Sequence, residues 1–148
     1  MRVALIAALA VVCLAGAASV AAMLNGSSSG YTVHHLVSDE RPRAPSRDRS
    51  LVNSWGLAAS PTGPWWTANE ASDTSTLYSA VGRKQLLTVQ VDGGPTGIAF
   101  YGGKGFAVRA GDATDPARFI YACEDGMIRA WTPTVPGPWS EQAEVVVD

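Results

Sequence analysis

Two short acidic segments carry the side chains of this sequence that are best suited to ligand binding. They follow the apolar runs WWTA and FIYAC, and they contain Asn69, Glu70 and Asp73, and Glu124 and Asp125, respectively. Carboxylate and amide oxygens are the ligands that hard cations such as calcium prefer, and they also bind polar substrates. The spacing matches no EF-hand or repeat-toxin calcium motif. These five residues are therefore the candidate ligand-binding residues, with turn formation, which Asp and Asn also favour, as the alternative.

The other reactive side chains form no recognisable catalytic or metal-binding pattern. The adjacent His34 and His35 would point to opposite faces of a strand, so they cannot chelate one ion together. The segment GGKG lacks the Gly-Lys-Ser/Thr ending of a phosphate-binding loop. Cys123 is expected to be a small buried strand residue. The catalytic residues are therefore unknown, and we predict no metal site and no cofactor, with calcium at the two acidic segments as the alternative.

Short apolar runs bounded by turn residues predict that the chain after residue 53 is all-β. No segment there has a sustained helical period. The 15 glycines and 9 prolines suit short strands joined by tight turns. The Asp125-Gly126 pair predicts a type I′ hairpin turn. The predicted strands are residues 54–60, 65–69, 75–80, 85–91, 96–101, 118–123, 127–132 and 144–147, with an earlier strand at 31–38.

A repeat with a period near 40 residues predicts how these strands are arranged. Trp55-Gly56-Leu57 and Thr96-Gly97-Ile98 begin the two copies, and the equivalent glycines are 41 residues apart. Four short strands per copy are the signature of a β-propeller blade. Large aromatic side chains would fill the wedge between blades, and the two glycines would allow close approach of the inner strands. The second copy carries an insertion, residues 102–115, which we predict to be a flexible loop.

The repeat predicts a partial propeller domain at residues 53–148. Blade 1 covers about residues 53–91, and blade 2 covers about residues 95–148 and is truncated. Because a propeller typically closes with four to eight blades, we expect the chain to be part of a longer protein. Residues 25–52 contain a polar spacer, the first predicted strand and a charged loop.

Residues 1–24 are predicted to be a signal peptide or, if uncleaved, an N-terminal anchor. Arg2 precedes an Ala/Val/Leu run with small residues clustered near its end. An apolar run of this length can also span a bilayer. The expected location is therefore secreted or extracytoplasmic, with membrane contact only through this segment.

Three quoted segments of the chain resemble a known family. The segments LVNSWGLAASPTGPWWTANEASDTSTLY, GGPTGIAF and ARFIYACEDGMIRAWTPT resemble uncharacterised, propeller-like secreted bacterial proteins first catalogued with the PEP-CTERM protein-sorting system. The resemblance covers about residues 31–134. It implies a signal peptide, a propeller fold and a chain more than twice this length, and it supplies no catalytic residues. Members often carry Asp-Asn-Gly where this chain has Asn69-Glu70-Ala71.

These observations favour a binding or interaction scaffold over an enzyme. The alternative is an extracytoplasmic propeller enzyme of the lactonase or quinoprotein kind, with a metal or cofactor in its channel. Such an enzyme would place carboxylates or histidines at the inner strands, whereas WGLAAS and TGIAF are apolar. The net charge of −2, without a basic face, argues against a nucleic-acid partner. The expected partner is a protein or a small-molecule ligand outside the cytoplasm.

Overall fold

The computed structural model describes residues 30–147, and this part of the chain is all-β, as predicted. It contains β1 (Val37–Ser38), β2 (Ser46–Arg47), β3 (Ser54–Ala59), β4 (Trp65–Asn69), β5 (Thr74–Tyr78), β6 (Lys84–Gln90), β7 (Pro95–Phe100), β8 (Ala107–Ala110), β9 (Ala113–Pro116), β10 (Phe119–Cys123), β11 (Ile128–Trp131) and β12 (Glu144–Val147). Within residues 30–147, no helix is long and apolar enough to cross a membrane. The predicted signal peptide or anchor at residues 1–24 lies outside the described residues.

The first four-stranded sheet is an antiparallel meander of β3, β4, β5 and β6 in chain order. The turn from β3 to β4 is closed by the Gly63 N–H, which donates to the Ser60 carbonyl at 3.3 Å. A short 3₁₀ helix, Glu70–Ser72, joins β4 to β5 and ends at Asp73 in the left-handed conformation, with φ +51°. The observed bounds of the four strands differ from the predicted ones by at most two residues at either end.

The second sheet is a meander of the same kind, with the order β12-β11-β10-β7. Along the chain, its first two strands, β7 and β10, are separated by a two-stranded hairpin formed by β8 and β9. The prediction of a flexible loop at residues 102–115 is therefore wrong, because much of that segment forms paired strands. Val108 of the hairpin is fully buried in a small apolar cluster with Ala117, Ala130 and Val135. The hairpin thus covers one face of the second sheet.

The turn between β10 and β11 also differs from the predicted type I′ turn. The Gly126 N–H donates to the Cys123 carbonyl at 3.1 Å, and of the pair Asp125-Gly126 only Gly126 has positive φ, at +84°. Residues 124–126 therefore form a three-residue hairpin loop with glycine at its left-handed position.

The strand register shows that the two sheets are copies of one pattern. Gly56 pairs with Ala68 in the first sheet, and Gly97 pairs with Ala122 in the second. In both pairs of strands the register shifts at the next step, between residues 54 and 56 and between residues 122 and 123. The predicted equivalence of the two glycines is confirmed, and the inserted hairpin accounts for the longer spacing of the strands that follow.

The main core lies between the two sheets and is built around three aromatic rings. Trp66 of β4 stacks on Phe119 of β10 with ring centroids 4.0 Å apart, and Trp131 of β11 lies 4.8 Å from Trp66. Burying 150–250 Å² per aromatic side chain stabilises a fold by roughly 4–6 kcal/mol each. The prediction that large aromatic side chains pack between the repeats does not hold for Trp55 and Trp65, which are 67% and 46% exposed.

Gly56 allows the inner strands β3 and β7 to lie directly against each other. A Cβ at this position would stand 2.9 Å from Ile98 Cγ2 and 3.0 Å from the Ile98 backbone nitrogen. Both distances are too short for a side chain. The predicted role of Gly56 in close backbone approach is confirmed. A Cβ at Gly97 would meet only the Ala122 Cβ, at 3.4 Å, so the same role does not hold there among the described residues.

Residues 37–52 cover the other face of the first sheet through the buried Asp48. Its carboxylate accepts hydrogen bonds from the Tyr78 hydroxyl at 2.6 Å and from the Lys84 ammonium at 2.9 Å. The predicted strand at 31–38 is reduced to β1, Val37–Ser38, which pairs in parallel with β2. Residues 31–36 are exposed, so the alternating pattern there has no face to pack on.

Candidate functional site

The linker between the two sheets, residues 91–94, organises the predicted acidic segments. The Asp73 carboxylate accepts the Gly94 N–H at 2.8 Å, and the Asp73 carbonyl accepts the Val91 N–H at 2.7 Å. On the other side, the Glu124 N–H donates to the Gly94 carbonyl at 3.0 Å. Asp73 and Glu124 are therefore held at one edge of the two sheets.

Asp125 joins the same edge, where its carboxylate is already occupied. It accepts the Met127 N–H at 3.0 Å and forms an ion pair with Arg129 at 2.8 Å. The Met127 N–H and the Arg129 guanidinium hold the pKa of Asp125 below its ordinary value. Gly93, with φ +84°, lies against this pair, and a Cβ there would collide with the Asp125 carboxylate. The segment is thus fixed by local turn contacts.

Asn69 and Glu70, the other two predicted ligand residues, belong to separate contacts. Asn69 is fully buried, and its amide donates to Thr74 Oγ1 at 3.1 Å and to Thr76 Oγ1 at 2.9 Å. Glu70 accepts the Asn53 side-chain amide at 2.5 Å. The five predicted residues therefore do not converge on one point. Among residues 30–147, no group of three or more His, Cys, Asp or Glu side chains could hold a metal ion.

A groove that the sequence does not reveal lies between the outer edge strand of the first sheet and the loop before β12. Its volume is about 370 Å³. We call it the outer groove; it is lined by Leu86, Leu87, Trp131, Pro133, Trp139, Ser140 and Glu141. Both the size and the predominantly apolar lining are typical of small-ligand sites.

Hydrogen bonds hold the loop side of the outer groove in place. The indole N–H of Trp131 donates to the Ser140 carbonyl at 2.9 Å. The Gln90 N–H donates to the Glu141 carbonyl at 2.7 Å, and the Ala143 N–H returns a bond to the Gln90 carbonyl at 2.9 Å. The loop is therefore tied both to the core and to the end of β6, so that the groove is preformed.

Trp139 is the most unusual residue of the outer groove. Its φ of +63° is rare for a bulky side chain, and its side chain is 89% exposed. Leu86, which also lines the groove, is completely exposed. A strained residue that presents an indole to solvent is typical of ligand-binding loops. The sequence signal for it was the segment TPTVPGPWS, which places a tryptophan directly after Pro-Gly-Pro and outside any predicted strand.

Comparisons with known proteins place similar sequences in a virus. No protein-family model and no solved structure matches the chain. An uncharacterised protein of Acanthamoeba polyphaga mimivirus is 32% identical over 111 residues, which is 71% of this chain and 28% of the relative. A second uncharacterised mimivirus protein is 28% identical over 111 residues, covering 71% of this chain and 29% of that relative. The chain thus spans less than a third of the length of either relative.

The resemblance to PEP-CTERM-associated bacterial proteins is therefore wrong. The relatives that the sequence matches are viral, and no family model supports a bacterial assignment. The quoted segments consist of short apolar strands bounded by Gly and Pro, a pattern that is typical of all-β proteins in general.

Proposed function

We propose that the protein is a binding module made of β-propeller-type blades, and that the outer groove is its ligand site. The blade interpretation is supported by the two meanders with one shared register and by the direct packing of β3 on β7. The predicted edge residues are weaker candidates, since Asp73 and Asp125 already accept backbone N–H groups. The single observation that carries the ligand site is Trp139, exposed in a strained conformation beside a preformed apolar groove.

The lining of the outer groove defines the chemistry of its ligand. Leu86, Leu87 and Pro133 provide an apolar surface for an aliphatic stem. Trp139 and Glu141 lie at the same groove, and an indole face and a carboxylate both attract a cation. Glu141 forms no ion pair within residues 30–147. The ligand is therefore an aliphatic chain that ends in a cationic group, either in a free alkylammonium compound or in a lysine side chain.

Tryptophan fluorescence with n-hexylammonium tests this ligand class. A ligand of this size is expected to bind with a Kd on the order of 1 mM. n-Hexanol has the same stem without the charge, and it should bind at least about five-fold more weakly, since a charge-assisted contact contributes about 1 kcal/mol or more. Binding of a lysine tripeptide is then compared with binding of the norleucine tripeptide, which lacks the charge. This comparison tests whether the ligand is a lysine side chain in a peptide or a free alkylammonium compound.

Variants locate the binding to the groove. Trp139→Ala should abolish hexylammonium binding, measured by titration calorimetry because the substitution also removes a fluorophore, and Glu141→Gln should remove only the preference for hexylammonium over hexanol. Trp55→Ala is the matched control, because Trp55 is also exposed but lies on β3, away from the groove. Unchanged binding by Trp139→Ala would exclude the groove, and equal binding of hexanol and hexylammonium would exclude the cationic ligand.

A further inference from the structure

The packing of the first sheet on the second provides a template for a second interface. Ile98 of β7 lies in a recess formed by Gly56 and Ala68. Ala68 is fully buried there. The contact consists of the branched side chain of Ile98 and, on the neighbouring sheet, the two small residues Gly56 and Ala68.

The second sheet carries a copy of that recess that is open. Gly97 and Ala122 pair with each other as Gly56 and Ala68 do. Ala122 is exposed, and so is Ala99 on the same face of β7. A Cβ at Gly97 would contact only the Ala122 Cβ. The recess has the same small side chains as the filled one, and no side chain of residues 30–147 other than Ala122 lies within 4 Å of a Cβ built at Gly97.

The first sheet carries the matching side chain, also uncovered. Leu57 follows Gly56 and pairs with Thr67, as Ile98 follows Gly97 and pairs with Tyr121. Leu57 is 62% exposed, and the neighbouring Trp55 and Trp65 are exposed as well. Three large apolar side chains on adjoining strands form a patch of the kind that marks an interaction surface.

The coverage of the two faces leaves corresponding areas free. On the first sheet, Asp48 and its segment contact Tyr78 and Lys84, on the outer strands β5 and β6. On the second sheet, the β8–β9 hairpin packs over Ala130 of β11 and Ile120 of β10. Among residues 30–147, the exposed Leu57 on β3 and the exposed Ala99 and Ala122 beside Gly97 on β7 and β10 leave one open area on each face.

We propose that these two open faces bind each other between copies of this chain, with Leu57 of one copy in the Gly97–Ala122 recess of the next. This inference does not depend on the ligand of the outer groove. The contact is head to tail, so each copy keeps one free face until a ring closes.

Mass measurement by light scattering or sedimentation, over a range of protein concentrations, tests the proposal. The wild-type chain should show a mass of two monomers or more that falls to the monomer mass on dilution. Leu57→Asp and Gly97→Val should each weaken association at least about ten-fold, because one buries a charge and the other fills the recess. Val81→Asp is the matched control, since Val81 is 73% exposed in the turn after β5 and outside both faces.

Mixing the two variants distinguishes this interface from any other self-association. Leu57→Asp keeps an intact recess, and Gly97→Val keeps an intact Leu57, so a mixture should form a one-to-one pair that does not grow further. A monomeric wild-type chain at all accessible concentrations would overturn the proposal. So would association that survives both substitutions, or a mixture in which no pair forms. Circular dichroism of each variant confirms that the sheets are retained.

Discussion

The two sheets share one strand register, yet their equivalent glycines lie in different surroundings. Gly56 is pressed between Ile98 and Ala68, whereas Gly97 has open space beyond the Ala122 Cβ. The same sequence position is therefore a strict steric requirement in one sheet and a tolerant surface position in the other. What differs is the presence of a neighbouring sheet, not the local conformation, since neither glycine has positive φ.

The largest expected effect is that of adding one methyl group to each glycine. Gly56→Ala should lower the free energy of unfolding by about 2–3 kcal/mol. The added Cβ would overlap Ile98, and the Ile98 backbone, paired in the sheet, cannot move away without loss of hydrogen bonds. Gly97→Ala should change it by less than about 0.5 kcal/mol or raise it slightly, since alanine restricts the unfolded chain. Urea denaturation at concentrations where the chain is monomeric measures both. Equal losses of unfolding free energy in the two variants would contradict the packing of β7 against Gly56.

The segments that pack on the two sheets provide a second contrast. Residues 37–52 contact the first sheet through the charged Asp48, whereas the β8–β9 hairpin contacts the second through apolar side chains. Burial disfavours the charged form of Asp48, but hydrogen bonds from Lys84 and Tyr78 outweigh it and hold the pKa of Asp48 below its ordinary value. A lowered folded-state pKa contributes stability above the unfolded pKa, near 4, and that contribution is lost as the pH falls through the folded value. The stability of the first sheet's cover should therefore decline in acid.

Asp48→Asn should lower the free energy of unfolding by about 1–2 kcal/mol at pH 7, allowing for the partial exposure of Lys84. The loss should shrink towards pH 3. Val108→Ala, in the apolar cover of the second sheet, should cost about 1–2 kcal/mol equally at both pH values. Urea titrations of both variants at the two pH values provide the comparison, and a pH-independent deficit in Asp48→Asn would contradict the ionic role.

A smaller contrast concerns two buried tyrosines. The Tyr78 hydroxyl donates to Asp48, whereas the Tyr121 hydroxyl is fully buried without a hydrogen-bond partner in the described part of the chain. Tyr78→Phe should destabilise by about 1–2 kcal/mol, and Tyr121→Phe should be neutral or stabilising by up to about 1 kcal/mol. Thermal unfolding of both variants decides this, and a marked loss in Tyr121→Phe would require a partner for its hydroxyl.

The smallest expected effect is that of calcium on the predicted edge residues. Asp73 and Asp125 already accept N–H groups from Gly94 and Met127. Addition of about 5 mM calcium should therefore move the Tm by less than about 1 °C, because only ligands that bind the folded state stabilise it. A saturable rise in Tm that Asp125→Asn abolishes would establish a calcium site.

Sequence periodicity was sufficient to predict the strands of the two sheets, but it was insufficient to predict the candidate site. Strand positions follow from local alternation and turn residues, and the Gly56–Gly97 equivalence follows from the repeat. The outer groove could not be predicted, because Leu86 and Trp139 lie 53 positions apart and meet only through the pairing of Gln90 with residues 141–143. Asn69 looked like a ligand by type, but its buried hydrogen bonds to Thr74 and Thr76 depend on strand pairing that side-chain chemistry does not encode.

The inserted β8–β9 hairpin also has a kinetic consequence. In the first sheet β3 and β4 are joined by five residues, 60–64, whereas in the second β7 and β10 are separated by eighteen, 101–118. The entropy of closing the longer loop costs about 1 kcal/mol more. The first sheet is therefore expected to form earlier, during synthesis as well as in refolding. Its finished face, with Gly56 already in place, then serves as the surface on which the slower second sheet assembles.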